Sequence, residues 1–280
     1  MTMGSANAPR PGRLSPGRLT GALARIGRAS VGGLEEVGYA AALLADGLVA
    51  LLVGPFRRAP VRLGHVVQQG LEIGVLAVPI VSVLAFTIGV MLAIQGIHTL
   101  ETFGAESQVT TGIALSVTRE FGPLITGILV AGRSGAALAA RIGTMRISQE
   151  IDALKVIGIA PVRYLVAPPL VAMLAMMPLL SFWSIVVGLL GGGLYVSIDL
   201  GMSLSAYASR ILEAIALDDL LHGLGKSALF GVAVVLIGVV NGATVSGGAA
   251  GVGRATTRAV VQAISAIVVI DMLFVFALTQ

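Results

Sequence analysis

The chain contains no cysteine, which excludes disulfides and thiolate metal sites. Charge is scarce: Asp, Glu, Lys and Arg together make up 11% of the residues, where an ordinary soluble domain carries about 25%. Aromatic residues are few, with one tryptophan. The three histidines, His65, His98 and His222, are scattered without ligand spacing and read as polar caps or loop residues, so no metal site is expected. No Ser/His/Asp constellation or carboxylate pair falls in a plausible pocket, so no catalytic residue is expected and the chain does not read as an enzyme. What it has instead is 56% hydrophobic residues, a mean hydropathy of +0.96 and several long apolar runs. Runs of about 20 such residues make transmembrane helices. The 37 glycines fit helices that pack closely in lipid. Gly188 and Gly192 form a GxxxG pair, a pattern common enough by chance to carry little weight.

The net charge of +4 comes mainly from an arginine-rich beginning. In a membrane chain this points to topology and lipid-surface attraction before nucleic acid. Residues 1–30 hold Arg10, Arg13, Arg18, Arg25 and Arg28 with no acid and two Pro-Gly-Arg repeats. They read as a basic disordered tail with no signal-peptide core. Residues 31–280 form the membrane domain. Within it, 37–54 is apolar but interrupted by Asp46. If it crossed the bilayer, the basic tail would be separated from Arg57, Arg58 and Arg62, against the positive-inside rule. A helix over roughly 33–54 is therefore expected to lie in the cytoplasmic interface.

Five spans are expected after it, at 68–96, 108–132, 164–196, 222–242 and 257–278, an all-α integral membrane fold. Pro79 and Pro168-Pro169 mark kink or entry points. The connections alternate in charge. Segment 97–107 has acids and no Lys or Arg, and 197–221 is dominated by acids. Segment 133–163 is basic, and 243–258 has Arg254 and Arg258 without an acid. The Lys and Arg bias places the N-terminus in the cytoplasm and the C-terminus outside.

Inside these spans stand Arg119, Glu120, Lys226 and Asp271. An ionisable group in a span costs several kcal/mol unless partnered (of order 3 kcal/mol on insertion scales), so each is a functional hypothesis. Adjacent helical residues diverge by about 100° and cannot satisfy each other. Arg119 and Glu120 must therefore find partners elsewhere, and Glu120–Lys226 and Arg119–Asp271 are the expected pairs. They serve either as a structural ion network or as a moving wall of a substrate cavity. A further feature is a compact helix signal at 149–157. Ser148 is its expected N-cap, and Glu150 and Asp152 are its first-turn acids. Lys155 lies in its last turn, Gly158 at C′ and Pro161 beyond. Ile151, Leu154 and Ile157 form its apolar edge. Such a helix docks a separate motor or is an ordinary connector. The run Gly223-Leu224-Gly225-Lys226-Ser227 imitates the end of a phosphate-binding loop. It lacks the required first glycine, since Leu220 stands there, and it has no preceding strand. No nucleotide site is expected in this chain.

Two blocks are together specific. The first comprises Arg119-Glu120-Phe121-Gly122-Pro123-Leu124, Ala131-Gly132-Arg133-Ser134-Gly135-Ala136-Ala137, Gly143-Thr144-Met145, Glu150-Ile151-Asp152-Ala153-Leu154 and Pro161-Val162-Arg163-Tyr164. The second is Gly251-Val252-Gly253-Arg254-Ala255-Thr256-Thr257-Arg258-Ala259-Val260-Val261, with Asp271 following. Over roughly 33–278 the chain resembles the MlaE/YrbE family, permease subunits of phospholipid-trafficking ABC transporters that work with MCE proteins.

The resemblance implies an interfacial helix plus five spans, and a homodimer with a lipid cavity at its interface. It also implies a cytoplasmic ABC ATPase that binds the ATP and docks on the loop helix (Ser148, Glu150, Ile151, Asp152, Leu154, Lys155). A STAS-domain regulator and a periplasmic MCE-domain hexamer complete the assembly, in the bacterial inner membrane. Leu92, Leu100 and Phe103 align with cavity-lining positions. Arg-Glu before Phe-Gly-Pro favours the MlaE-like branch and a glycerophospholipid. Import of fatty acids or sterols by another MCE system, an ion-coupled secondary transporter, and a passive scaffold for an MCE protein are the alternatives.

Overall fold

A computed structural model of the chain describes residues 38–47, 49 and 63–278. The expected basic tail at 1–30, and most of the expected interfacial helix at 33–54, lie outside the described residues. Within that helix the backbone is helical over 38–47 (α1).

Every regular element among the described residues is helical. They are α2 (Leu63–Ile73), α3 (Val78–Glu101), α4 (Val109–Ser116), α5 (Gly122–Val130), α6 (Ala136–Ile147), α7 (Glu150–Val156), α8 (Pro161–Leu165), α9 (Ala167–Asp199), α10 (Leu204–Ala214), α11 (Leu217–Ala243) and α12 (Gly248–Leu278). Five stretches are long and apolar enough to cross a membrane: Gly64–Glu101, Val109–Ile147, Pro161–Asp199, Leu217–Ala243 and Gly248–Ala277. These are the five expected spans, each longer than read from the sequence. The second runs on to Ile147, so the first half of the expected loop 133–163 is helix.

The first span changes helix type next to Pro79, one of the expected kink or entry points. A 3-10 turn at Val75–Ala77 separates α2 from α3, and Pro79 sits in the first turn of α3, where no amide hydrogen is needed. Pro168 and Pro169 open α9 in the same way, and Pro178 lies within α9, which continues around it.

Small residues set the helix spacing. A Cβ built on Gly89 would collide with the carbonyl of Gly188, and one on Gly191 with the carbonyl of Phe86. The backbones of α3 and α9 therefore meet directly, and the glycine pair discounted from the sequence lies in this interface. With no hydrophobic force between helices in lipid, such close packing supplies much of the association.

At one end of the bundle, Ile97, Val109, Ile113, Val196, Tyr207 and Ile211 form a buried apolar cluster. It is closed by α10, an amphipathic helix inside the segment read as an acidic loop. Ser203 caps it, its Oγ accepting the Ala206 amide at 3.2 Å. Tyr207 is buried, packs on Gly193 and donates its hydroxyl to the Leu189 carbonyl at 3.1 Å. Burial pushes its phenol up to about 12. The α7 helix marks the opposite end.

Candidate functional site

The second span is not a uniform α-helix. Between α4 and α5, residues Val117–Phe121 form a π-helical turn, with the Gly122 amide donating to the Val117 carbonyl five residues back. The sequence dictates this. Pro123 has no amide hydrogen to give the Arg119 carbonyl, so the ladder changes register just before it. Such single-turn π segments recur at functional sites. Here the turn carries Arg119 and Glu120.

Both side chains reach α11. Arg119 pairs with Asp219, its Nε donating to Oδ1 at 2.7 Å and its Nη2 lying 2.5 Å from the same oxygen. Glu120 Oε2 accepts from Lys226 Nζ at 2.8 Å. Asp219 and Lys226 are seven residues apart, two helical turns or about 10 Å on one face. That spacing suits two diverging neighbours on a crossing helix. Between them Gly223 presses against the turn: a Cβ there would collide with the Thr118 carbonyl. From α12, Asp271 Oδ1 comes within 2.7 Å of Lys226 Nζ, a close ion-pair contact without hydrogen-bond alignment.

Of the two expected pairs, Glu120–Lys226 forms and Arg119–Asp271 does not. Asp271 goes instead to Lys226, and Arg119 takes Asp219, which sequence reading had left in the preceding loop. The reason is the extent of α11: it begins at Leu217, so Asp219 is a helical residue in register with Lys226. Asp219 is buried, and its Oδ2 also accepts the Ala216 amide at 2.9 Å.

Lys226 is 2% exposed and held between two carboxylates, whereas the Arg119 side chain is 53% exposed. An ammonium removed from water is tolerable only with such partners, because desolvating it otherwise costs several kcal/mol (of order 5). The glycine-lysine-serine run that imitates a phosphate loop lies wholly inside α11, with its lysine in these ion pairs.

Arg119, Glu120, Asp219 and Lys226 line a cavity of about 330 Å³ with Asp218, His222, Phe274 and Val275. This is at the lower end of ligand-pocket volumes, which begin at about 300 Å³. Its wall combines these charged groups with the apolar Ala216, Phe274 and Val275. Leu92, Leu100 and Phe103 do not line it. Leu92 and Leu100 pack on the α10-end cluster, and Phe103 is 79% exposed.

The α7 region corrects a further expectation. Ser148 does not cap α7; it ends α6, its Oγ donating to the Thr144 carbonyl at 3.0 Å. Gln149, in the left-handed region at φ 61°, is the residue before α7, which spans Glu150–Val156 rather than 149–157. Gly158, at φ 81°, takes the expected position after the helix. Asp152 pairs with Lys155 at 2.9 Å and Arg146 at 3.3 Å. The Lys155 hydrogen bond and charge, with Arg146, hold its carboxyl below the usual range. Ile151 is buried and Leu154 half-buried, but Ile157 is exposed, as are Val156 and Ile159.

With this geometry in hand, the comparison with known proteins is decisive: the family model described as Permease MlaE matches residues 66–277. The chain belongs to the MlaE permease family. The match covers the π turn, α7 and the Asp271 span alike. A probable ABC transporter permease protein of Rickettsia typhi is 38% identical over 205 residues, 73% of this chain and 79% of the relative. The intermembrane phospholipid transport system permease protein MlaE of Haemophilus influenzae is 34% identical over 209 residues, 74% and 80% of the two chains. A chloroplast protein of Arabidopsis thaliana, trigalactosyldiacylglycerol 1, is 34% identical over 184 residues, 66% of this chain and 53% of the relative.

Within the MlaE domain, sequence reading missed Asp219, Gly223 and His222 as neighbours of the network. The seven-residue spacing of Asp219 and Lys226 was the available signal. A second polar cluster sits at the α7 end: buried Asn241 accepts from Arg258 Nε and donates to Gln262, both at 2.6 Å, and ties α11 to α12.

Proposed function

We propose that this chain is the permease subunit of an ABC transporter that moves phospholipid between the bacterial inner membrane and a periplasmic MCE-domain protein. The observation that carries the reading is the buried ion network spanning the π turn, α11 and α12, in a chain of the MlaE family whose Haemophilus influenzae relative is named for phospholipid transport. Arg119 keeps part of its donor fork open to this cavity, where a phosphodiester group fits its planar geometry. The small volume suits a headgroup. The acyl chains then require apolar surface outside the cavity, which a homodimer lined by Leu92, Leu100 and Phe103 supplies.

In this reading the N-terminus is cytoplasmic, the C-terminus is periplasmic and α7 faces the cytoplasm. There the exposed Val156, Ile157 and Ile159, beside Glu150, Asp152 and Lys155, receive an ABC ATPase that binds the ATP, with a STAS-domain regulator. Membership of an ABC permease family argues against the ion-coupled carrier. The test is ATP-dependent transfer of a fluorescent glycerophospholipid by the chain co-purified with its partners and reconstituted in vesicles. Transfer that stops when the partner ATPase is inactivated supports the proposal. Transfer that persists without ATP hydrolysis overturns it.

A further inference from the structure

At the α7 end, far along the second span from the ion network, two arginines have no acidic partner. Arg133 lies in a second π-helical turn, Ala131–Gly135, and Arg141 lies in α6. Arg133 Nη1 donates to the Glu72 carbonyl at 2.8 Å, and Arg141 Nη2 to Gln69 Oε1 at 3.1 Å. Among the described residues, neither guanidinium is in an ion pair. Two carboxylates are near. Glu72 accepts from Gln68 at 3.3 Å and Glu150 from Ser148 at 2.7 Å, both neutral donors.

Both arginines line a cleft of about 230 Å³, floored by Leu138 and Met173. A neighbouring cavity of about 380 Å³ shares Gln69, Arg141 and Pro169 with it. Leu76, which also lines the cleft, is exposed, as are Val75 and Ile80 beside it where α2 gives way to α3. The site thus offers guanidinium donors outside any ion pair, with Glu72 in the same lining, above an apolar floor and beside the exposed Leu76. That combination suits an amphiphile better than a free anion, because a soluble phosphate would gain nothing from the apolar surfaces.

From this we infer that the cleft between α2, α6 and the start of α9 binds the phosphate of a membrane phospholipid, held by Arg133 and Arg141, at the opposite end of the bundle from the ion network. The inference rests on the membrane placement of the helices and not on the transport reaction.

The test uses the full chain with its co-purifying partners in lipid nanodiscs, with a photoreactive phosphatidylglycerol as probe and no ATP. Label is expected on peptides from α2 and α6. In Arg141→Gln, and in Arg133→Gln with Arg141→Gln, that label is expected to fall about tenfold, as loss of a charge-assisted contact implies. Label elsewhere and the melting temperature should be unchanged, and excess inorganic phosphate should not compete. The arginine bonds to Glu72 and Gln69 also tie α2 to the second span. If that is their whole role, label in Arg141→Gln will stay at the parental level, which overturns the inference. Loss of label to inorganic phosphate alone also overturns it, by making the occupant a soluble anion. Because no transport is measured, a chain that moved no phospholipid would still give a clear answer.

Discussion

The second span contains two π-helical turns, and they treat charge differently. Val117–Phe121 sends Arg119 and Glu120 to one acid and one lysine on α11, and that lysine, Lys226, is buried between two carboxylates. Ala131–Gly135 sends Arg133 only to a backbone carbonyl at the edge of an open cleft. The same backbone device, an extra residue in one turn, thus presents charge to other helices in one place and toward the surroundings in the other. What decides is the facing element. Gly223 lets α11 close on the first turn, whereas α2 and α9 leave space beside the second.

That contrast is breakable at its strongest point first. Lys226→Ala leaves two carboxylates facing each other without their cation and should cost about 3–5 kcal/mol of stability. Thermal unfolding of the purified chain would show it. Neutralising all three groups together (Lys226→Met, Glu120→Gln, Asp271→Asn) should restore much of that stability, since paired charges removed as a set leave no orphan. A smaller effect is expected from Gly223→Ala. The added methyl meets the Thr118 carbonyl, so α11 must shift away from the turn at a cost of about 1–3 kcal/mol. The same melting measurement with this variant separates close packing from charge. An unchanged melting temperature would mean that the helices are not in register as described.

The architecture was legible because lipid leaves few options. Apolar runs and loop charge led to five spans, which are present, and proline placement marked Pro79, where a 3-10 turn divides α2 from α3. Glu120–Lys226 was legible because a buried lysine in a span has so few possible partners. Asp219 was not, because a row of acids before a span looks like a loop. Only the helix beginning at Leu217 puts it in register with Lys226. Neither π turn was read, although the Gly122-Pro123 step after Arg119-Glu120 carried the cause of the first. Ser148 misled for a related reason: a serine between two helices can end the first as readily as begin the second, and here its hydroxyl turns back to Thr144. The α10 helix was hidden by the acids around it, although Tyr207 and Ile211, four residues apart, marked its buried face.

The central claim is that ion pairs between the second, fourth and fifth spans are part of the transport pathway. The direct measurement is ATP-driven phospholipid transfer by reconstituted complexes carrying Glu120→Gln, Lys226→Met, or both, each at matched amounts of folded protein. The account predicts that all three lose most transfer, about tenfold or more. Parental transfer rates in all three would contradict it and leave the network a purely structural one.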